Sequence, residues 1–172
     1  THFNWDNNGI GAGLARQFSK DLEGKKVTIS GFRGSKGVDH PNALYNAALH
    51  EAVRDQVKNE DAFKTLRAQY AAWLRDRIYN TYLAVVKKQY QDPDTMSSFS
   101  SEMPLLMKLR EETCRIPTKP NRNGLVELYT KKEMETLYKL KSPNLFDAAC
   151  MTCRFIAPLQ SSQHTVRPPV IK

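Results

Sequence analysis

HFNWDNNGIGAGLARQFSKDLEGKKVTISGF, residues 2–32, reads as a strand, a helix and a second strand in succession. Residues 2–6 alternate and carry an aromatic, the period-two pattern of a half-buried strand. Asn7, Asn8 and Gly9 supply a turn. Leu14, Phe18 and Leu22 recur at i, i+4 and i+8 and predict a helix over 12–22, with Gly24 just past it where a C-cap glycine belongs. Val27, Ile29 and Gly31–Phe32 form the second strand. Two strands joined through a helix make a βαβ unit, which predicts a parallel or mixed sheet and the α/β class.

Outward from this unit, GFRGSKGVDHPN (31–42) is a basic, glycine-rich loop. A helix is expected over 44–58, then the longest helix over 60–89 with Asn59 as its N-cap. Phe63, Leu66, Tyr70, Trp73, Leu74, Ile78, Tyr82, Val85 and Val86 give that helix a core-facing stripe. After a loop at 92–101, a short helix over 102–110 and a strand over 113–116 are expected. Asn123–Gly124 closes a turn leading to that strand's hairpin partner, 125–129. Thr130 and Glu133 have capping-box spacing for a helix over 131–138, and Ser142 with Pro143 opens a last helix over 144–155. The stretch 160–172 is polar, contains Pro168–Pro169 and has no periodicity, so the expected division is a domain over 1–157 and a flexible tail over 158–172.

With 172 residues, 40% of them hydrophobic and 9% aromatic, the chain has the material for one packed domain, which excludes a wholly disordered protein. No run of about 18 apolar residues suggests a membrane span, and no signal peptide is visible. The net charge of +8 favours a polyanionic partner such as nucleic acid, or an acidic surface. Three cysteines argue against a disulfide scaffold and fit a reducing cytoplasm. Cys150 and Cys153 lie in an apolar helical context without zinc-site partners, which favours small buried hydrophobes. The chain opens without Met and directly in a strand, so further residues are expected in front of Thr1.

Two carboxylates stand out by placement. Asp6 ends a strand before a glycine-rich turn, and ligand sites of α/β folds gather at the carboxyl ends of strands. Asp147 lies one turn into a helix of mostly apolar or small residues, where an ionised carboxylate needs a partner or a cation. Two readings stay open: metal ligands, or a turn-capping Asp6 and a structurally paired, partly exposed Asp147. The G-x-G-x-G spacing of Gly9, Gly11 and Gly13 matches neither the dinucleotide fingerprint nor a P-loop, and points to packing of a tight turn. Asp39, His40 and His2 are loop or terminal residues able to approach a metal. Arg33, Lys36, Arg67, Arg75, Arg77, Lys131, Lys132, Lys139 and Lys141 supply positive charge, most of it expected on solvated faces. No Ser/His/Asp arrangement emerges, and Cys114 has no evident base.

Three segments together resemble one family, the C-terminal nuclease domain of tailed-phage terminase large subunits. They are WDNNGIGAGLARQF (5–18), FKTLRAQYAAWLRDR (63–77) and GLVELYTKKEMETLYKLKSPNLFDAACM (124–151). The resemblance implies an RNase H-like mixed sheet flanked by helices and an acidic cluster that binds two divalent metals, Mg²⁺ or Mn²⁺, to cut duplex DNA. Carried over, Asp6 matches the second acidic position, Asp147 the last, and Lys131 the lysine that opens the preceding helix. Asn144 stands where many members have Asp or His and is the remaining metal-site candidate. The first acidic strand and the P-loop ATPase domain have no counterpart, so the nuclease domain is expected to lack its N-terminal strands; the stretch 44–60 looks like an addition. The resemblance also implies an ATPase domain in the parent chain, contacts with the portal and the terminase small subunit, and action in the host cytoplasm. Other readings are a non-catalytic DNA- or portal-binding module, or another RNase H-like nuclease such as a resolvase.

Overall fold

Strand β1 (His2–Asp6) pairs in parallel with β2 (Thr28–Phe32), in the register His2↔Thr28 to Asp6↔Phe32. Helix α1 (Ala15–Asp21) connects them, as the alternation and the helical spacing predict. The structure is a computed structural model that describes residues 1–45, 57–119, 121 and 123–155. The helix begins later than the expected residue 12, because Gly9–Gly13 is a 3-10 turn packed under the end of β1. A Cβ on Gly11 would stand 1.8 Å from the Asp6 carbonyl oxygen, and the Trp5 indole donates to the Gly11 carbonyl at 3.0 Å. The glycine-rich turn therefore serves close packing, as expected.

Beyond this unit the chain departs from several expectations. The ends of the helix expected over 44–58 are strands: β3 (Leu44–Tyr45) pairs antiparallel with β4 (Val57–Lys58), and the centre of that stretch lies outside the described residues. Tyr45 is drawn into this pairing by packing its ring edge-on against Phe63, 4.6 Å between centroids, while its hydroxyl donates to buried Asp76. The long helix is interrupted. Helix α2 (Asn59–Ala62) stops at Phe63, whose extended backbone bridges in parallel to Val126. Thr65 then caps α3 (Leu66–Val85) by accepting from the Ala68 amide. Asn59 is the first residue of α2 rather than its cap, and its side chain donates instead to the His40 carbonyl.

Helix α3 organises the core. Leu66, Tyr70, Trp73 and Leu74 are buried against Phe32, Leu109, Phe146, Cys150 and Cys153. The stripe does not stay buried to its end: Tyr82, Val85 and Val86 are exposed. Buried polar residues of α3 hold loops. The Arg77 guanidinium donates to the Asp94 and Met96 carbonyls, and the Asn80 amide to the Thr95 carbonyl. Arg77 is thus a loop anchor and not part of a solvated face. Cys150 and Cys153 are buried free thiols, and burial pushes Cys153 up to about 11.

Helix α4 (Leu106–Cys114) lies later than expected and replaces the strand anticipated over 113–116. Leu109 is buried on the core, and the Thr113 hydroxyl donates back to its carbonyl, so Thr113 stays helical. The hairpin forms instead from β5 (Thr118–Lys119) and β6 (Glu127–Leu128). Helix α5 (Lys131–Tyr138) has the expected capping box of Thr130 and Glu133. Helix α6 (Asn144–Thr152) ends in a 3-10 turn over Cys153–Phe155. Its cap is Pro143 rather than Ser142, whose hydroxyl donates to the Asn144 side chain. The Glu112 carboxylate of α4 accepts from the Leu145 and Phe146 amides, satisfying donors that Ser142 was expected to take. The expected tail, 158–172, lies outside the described residues. No described helix is long and apolar enough to cross a membrane.

Candidate active site

Two ties dock the C-terminal end of α6 and the turn after it on the β1–β2 pair. The Asn4 amide of β1 donates to the Met151 carbonyl of α6 at 2.8 Å. Arg154, just past α6, donates to the Ser30 hydroxyl and the Gly31 carbonyl of β2 at 2.8 and 2.9 Å. Between the carboxyl end of β1, the start of α3, the exit of β6 and the first turn of α6 lies a cleft of about 240 Å³. Asp6, Arg67, Lys131 and Asp147 all line it.

Asp6 is exposed at the end of β1. Its Oδ1 accepts from the Asn8 amide at 3.0 Å and from the Asn8 side chain at 2.8 Å. The turn-capping role is therefore real, yet it involves Oδ1 alone among the described residues. Asp147 is 9% exposed. Arg67 Nε donates to its Oδ1 at 2.8 Å, and Lys131 Nζ stands 3.2 Å from its Oδ2. The Arg67 guanidinium also donates through Nη1 to the Tyr129 carbonyl at 3.0 Å. The buried carboxylate is thus paired, as burial requires.

Lys131 is placed by its capping box. The Thr130 hydroxyl accepts from the Glu133 amide at 3.2 Å, and the Glu133 carboxylate accepts from the Thr130 amide at 2.8 Å. The Lys119 ammonium beside Glu133, with the Thr130 donors, holds that carboxyl down at about 2. Asn144 lies beside Lys131 and does not line the cleft; its Oδ1 accepts from Ser142 at 2.7 Å and from Lys131 at 3.5 Å.

The other acids and bases singled out in the sequence serve elsewhere. Asp39 accepts from the Tyr70 hydroxyl at 3.0 Å and pairs with Arg154 at 3.4 Å, and burial beside this carboxylate raises the Tyr70 phenol. Arg75 pairs with Asp76 at 2.8 Å. Sequence reasoning missed Glu127, which lines the cleft and accepts from Lys64 at 3.0 Å, a contact that lowers its carboxyl below the usual range. It also treated Arg67 only as part of the basic surplus. No spacing rule links that residue to Asp147, 80 positions away.

Among the described residues no group of three or more His, Cys, Asp or Glu is assembled for a metal. Asp6 and Asp147 do offer two hard oxygen ligands on one cleft. Divalent magnesium is commonly held by one or two carboxylates, the remaining positions going to water and phosphate oxygens. The donor set fits such an ion.

No protein-family model and no curated protein matches the chain. Solved structures do. The nuclease domain of the large terminase subunit gp2 of bacterial virus Sf6 is 42% identical, with a TM-score of 0.76 over 87% of this chain and 63% of that one. A lysine-to-alanine variant of that domain with manganese and beta-thujaplicinol is 42% identical with a TM-score of 0.77 over the same shares. The corresponding variant with calcium is 40% identical, also at 0.77. The α/β fold is accordingly the RNase H-like one expected. The chain spans less than two thirds of the length of these domains, and over that span it is similar to the nuclease domains of phage large terminase subunits.

Proposed function

We propose that the chain acts as a divalent-metal-dependent endonuclease, cutting concatemeric viral duplex DNA during genome packaging as part of a terminase large subunit. The observation that carries this reading is the convergence of Asp6 and Asp147 on one cleft beside Lys131 and Arg67. Related domains solved with manganese or calcium support divalent metal use. Asp6 and Asp147 would hold the ions, Mg²⁺ or Mn²⁺ in a two-metal site, while Asn144, beside Lys131 at 3.5 Å, stands next to the cleft rather than in it. Such ions lower the pKa of bound water and stabilise both the attacking and leaving oxygens of an in-line displacement. Asn8 engages only Oδ1 of Asp6, an exposed residue that lines the cleft at the strand end. Arg67 holds Asp147 in place. The Lys131 ammonium, 45% exposed beside that carboxylate, is available to a phosphate oxygen of bound DNA.

The +8 charge supports phosphate contacts with little sequence preference, since phosphate carries no base information. The proposed partners are duplex DNA, an ATPase domain of the parent chain, the portal and the terminase small subunit, and the proposed site of action is the host cytoplasm. The same charge favours a second reading, a non-catalytic DNA- or portal-binding module.

Cleavage of supercoiled plasmid in Mn²⁺, Mg²⁺ or EDTA tests the reading, with Asp6→Asn and Asp147→Asn beside the parent chain. Metal-dependent nicking lost in both folded variants supports the endonuclease. DNA retention without cleavage under any metal supports the binding module, and cleavage that survives both substitutions rejects these carboxylates.

A further inference from the structure

We propose that Arg67 is a positioning residue that occupies Oδ1 of Asp147 and thereby presents Oδ2 to the cleft as the cation-binding oxygen; this rests on the endonuclease reading above. The Arg67 backbone is fixed first. Its amide donates to the Gly34 carbonyl at 3.0 Å, and the preceding Leu66 amide to the Lys36 carbonyl at 2.8 Å. Those bonds tie the start of α3 to the loop after β2. A Cβ on Gly34 would stand 3.2 Å from Arg67 Cβ, so the stem is confined as well.

The guanidinium then forks between two elements far away in sequence. Nε reaches Asp147 of α6 and Nη1 reaches the Tyr129 carbonyl after β6. Nη2 is buried and donates to nothing among the described residues, so the group is held by two directed bonds rather than by many. The two oxygens of Asp147 consequently differ. Oδ1 faces a guanidinium whose side chain is 15% exposed, while Oδ2 faces the Lys131 ammonium on a side chain 45% exposed. A solvated ammonium yields its place more readily than a largely enclosed, doubly anchored fork. Lysine at position 67 would keep the charge but lose the planar fork, so it would not hold Asp147 and the Tyr129 carbonyl together.

Mn²⁺ binding to the 172-residue chain, followed by the loss of the free-ion EPR signal, separates geometry from charge. Asp147→Asn sets the background. Arg67→Lys, with an unchanged circular dichroism spectrum and melt, is expected to bind Mn²⁺ at least about tenfold more weakly, the range seen when a partner orienting a metal ligand is removed. Wild-type affinity in Arg67→Lys would overturn the proposal while leaving the endonuclease reading intact. A parent chain that takes up no Mn²⁺ above the Asp147→Asn background would overturn both. Because Arg67→Lys is at risk of misfolding, the unmutated chain supplies a second readout. The Arg67 Nε–H signal in ¹⁵N NMR is expected to persist, protected, when Mg²⁺ is added. Its collapse into solvent exchange would mean that the cation displaces Arg67, and would also overturn the proposal.

Discussion

Removing either partner of the Arg67–Asp147 pair should destabilise the fold far more than removing an ordinary surface ion pair. The two side chains are 15% and 12% exposed and meet at 2.8 Å. Taking one away leaves the other a largely enclosed charge with one partner left, Lys131 for Asp147 or the Tyr129 carbonyl for Arg67, which costs about 3 kcal/mol, the lower end of the range for a broken buried pair. An exposed pair contributes about 0–1 kcal/mol. The Lys131 contact, with that lysine 45% exposed, adds no more than a surface bridge. For a domain of this size each kcal/mol moves the melting temperature by roughly 2–4 °C, so a loss of about 3 kcal/mol corresponds to about 6–12 °C. Asp147→Ala and Arg67→Met should each show that loss in urea titrations followed by circular dichroism. The double variant Arg67→Met with Asp147→Leu removes both charges and should recover much of it, giving a coupling of about 2–3 kcal/mol. Single losses below about 1 kcal/mol, or losses that simply add, would mean that the pair contributes no more than a surface bridge. The practical consequence is that an inactive Asp147→Ala variant does not by itself prove catalysis, and Asp147→Asn with a folding check is the better probe.

Gly11→Ala should destabilise the chain by about 1–3 kcal/mol or more, because its Cβ would meet the Asp6 carbonyl oxygen at 1.8 Å, whereas Gly13→Ala, with nothing within 4 Å, should be close to neutral in the same melts. Glu133 titrates near 2, held down first by Lys119 and then by the Thr130 donors, so its contribution to stability is complete above the ordinary carboxylate range and is lost as pH falls toward 2. Glu133→Gln should therefore flatten the acid limb of a stability–pH curve between about pH 4.5 and 2. Iodoacetamide at pH 8 should modify Cys114, which is exposed, and spare Cys150 and Cys153, whose thiols burial pushes upward; mass spectrometry after limited labelling reads the sites directly.

What the sequence reveals is what is local. The βαβ unit is legible because β1, α1 and β2 each carry their own periodicity within 31 residues. The Thr130–Glu133 cap is legible because both partners lie within one turn. The break in the long helix is not, since Phe63 is extended by its bridge to Val126, a residue 63 positions on, while its spacing to Leu66 and Tyr70 continues the helical stripe. Residues 113–116 fail for a related reason: β-branched residues suggest a strand, but burial of Leu109 carries α4 through Thr113. Of the candidate site, Asp6 and Asp147 were visible as acids in telling places. Their common cleft, the Arg67 fork and the Glu112 cap of α6 depend on contacts 33 to 147 residues apart, and no spacing rule reaches that far.

The most direct test of the central claim is to locate Mn²⁺ by its anomalous scattering in crystals of the chain. A peak is expected in the cleft bounded by Asp6 and Asp147, within coordination distance of an oxygen from each, with its loss in Asp147→Asn. A peak bound elsewhere, or an empty cleft with both carboxylates ordered at saturating Mn²⁺, would contradict that claim.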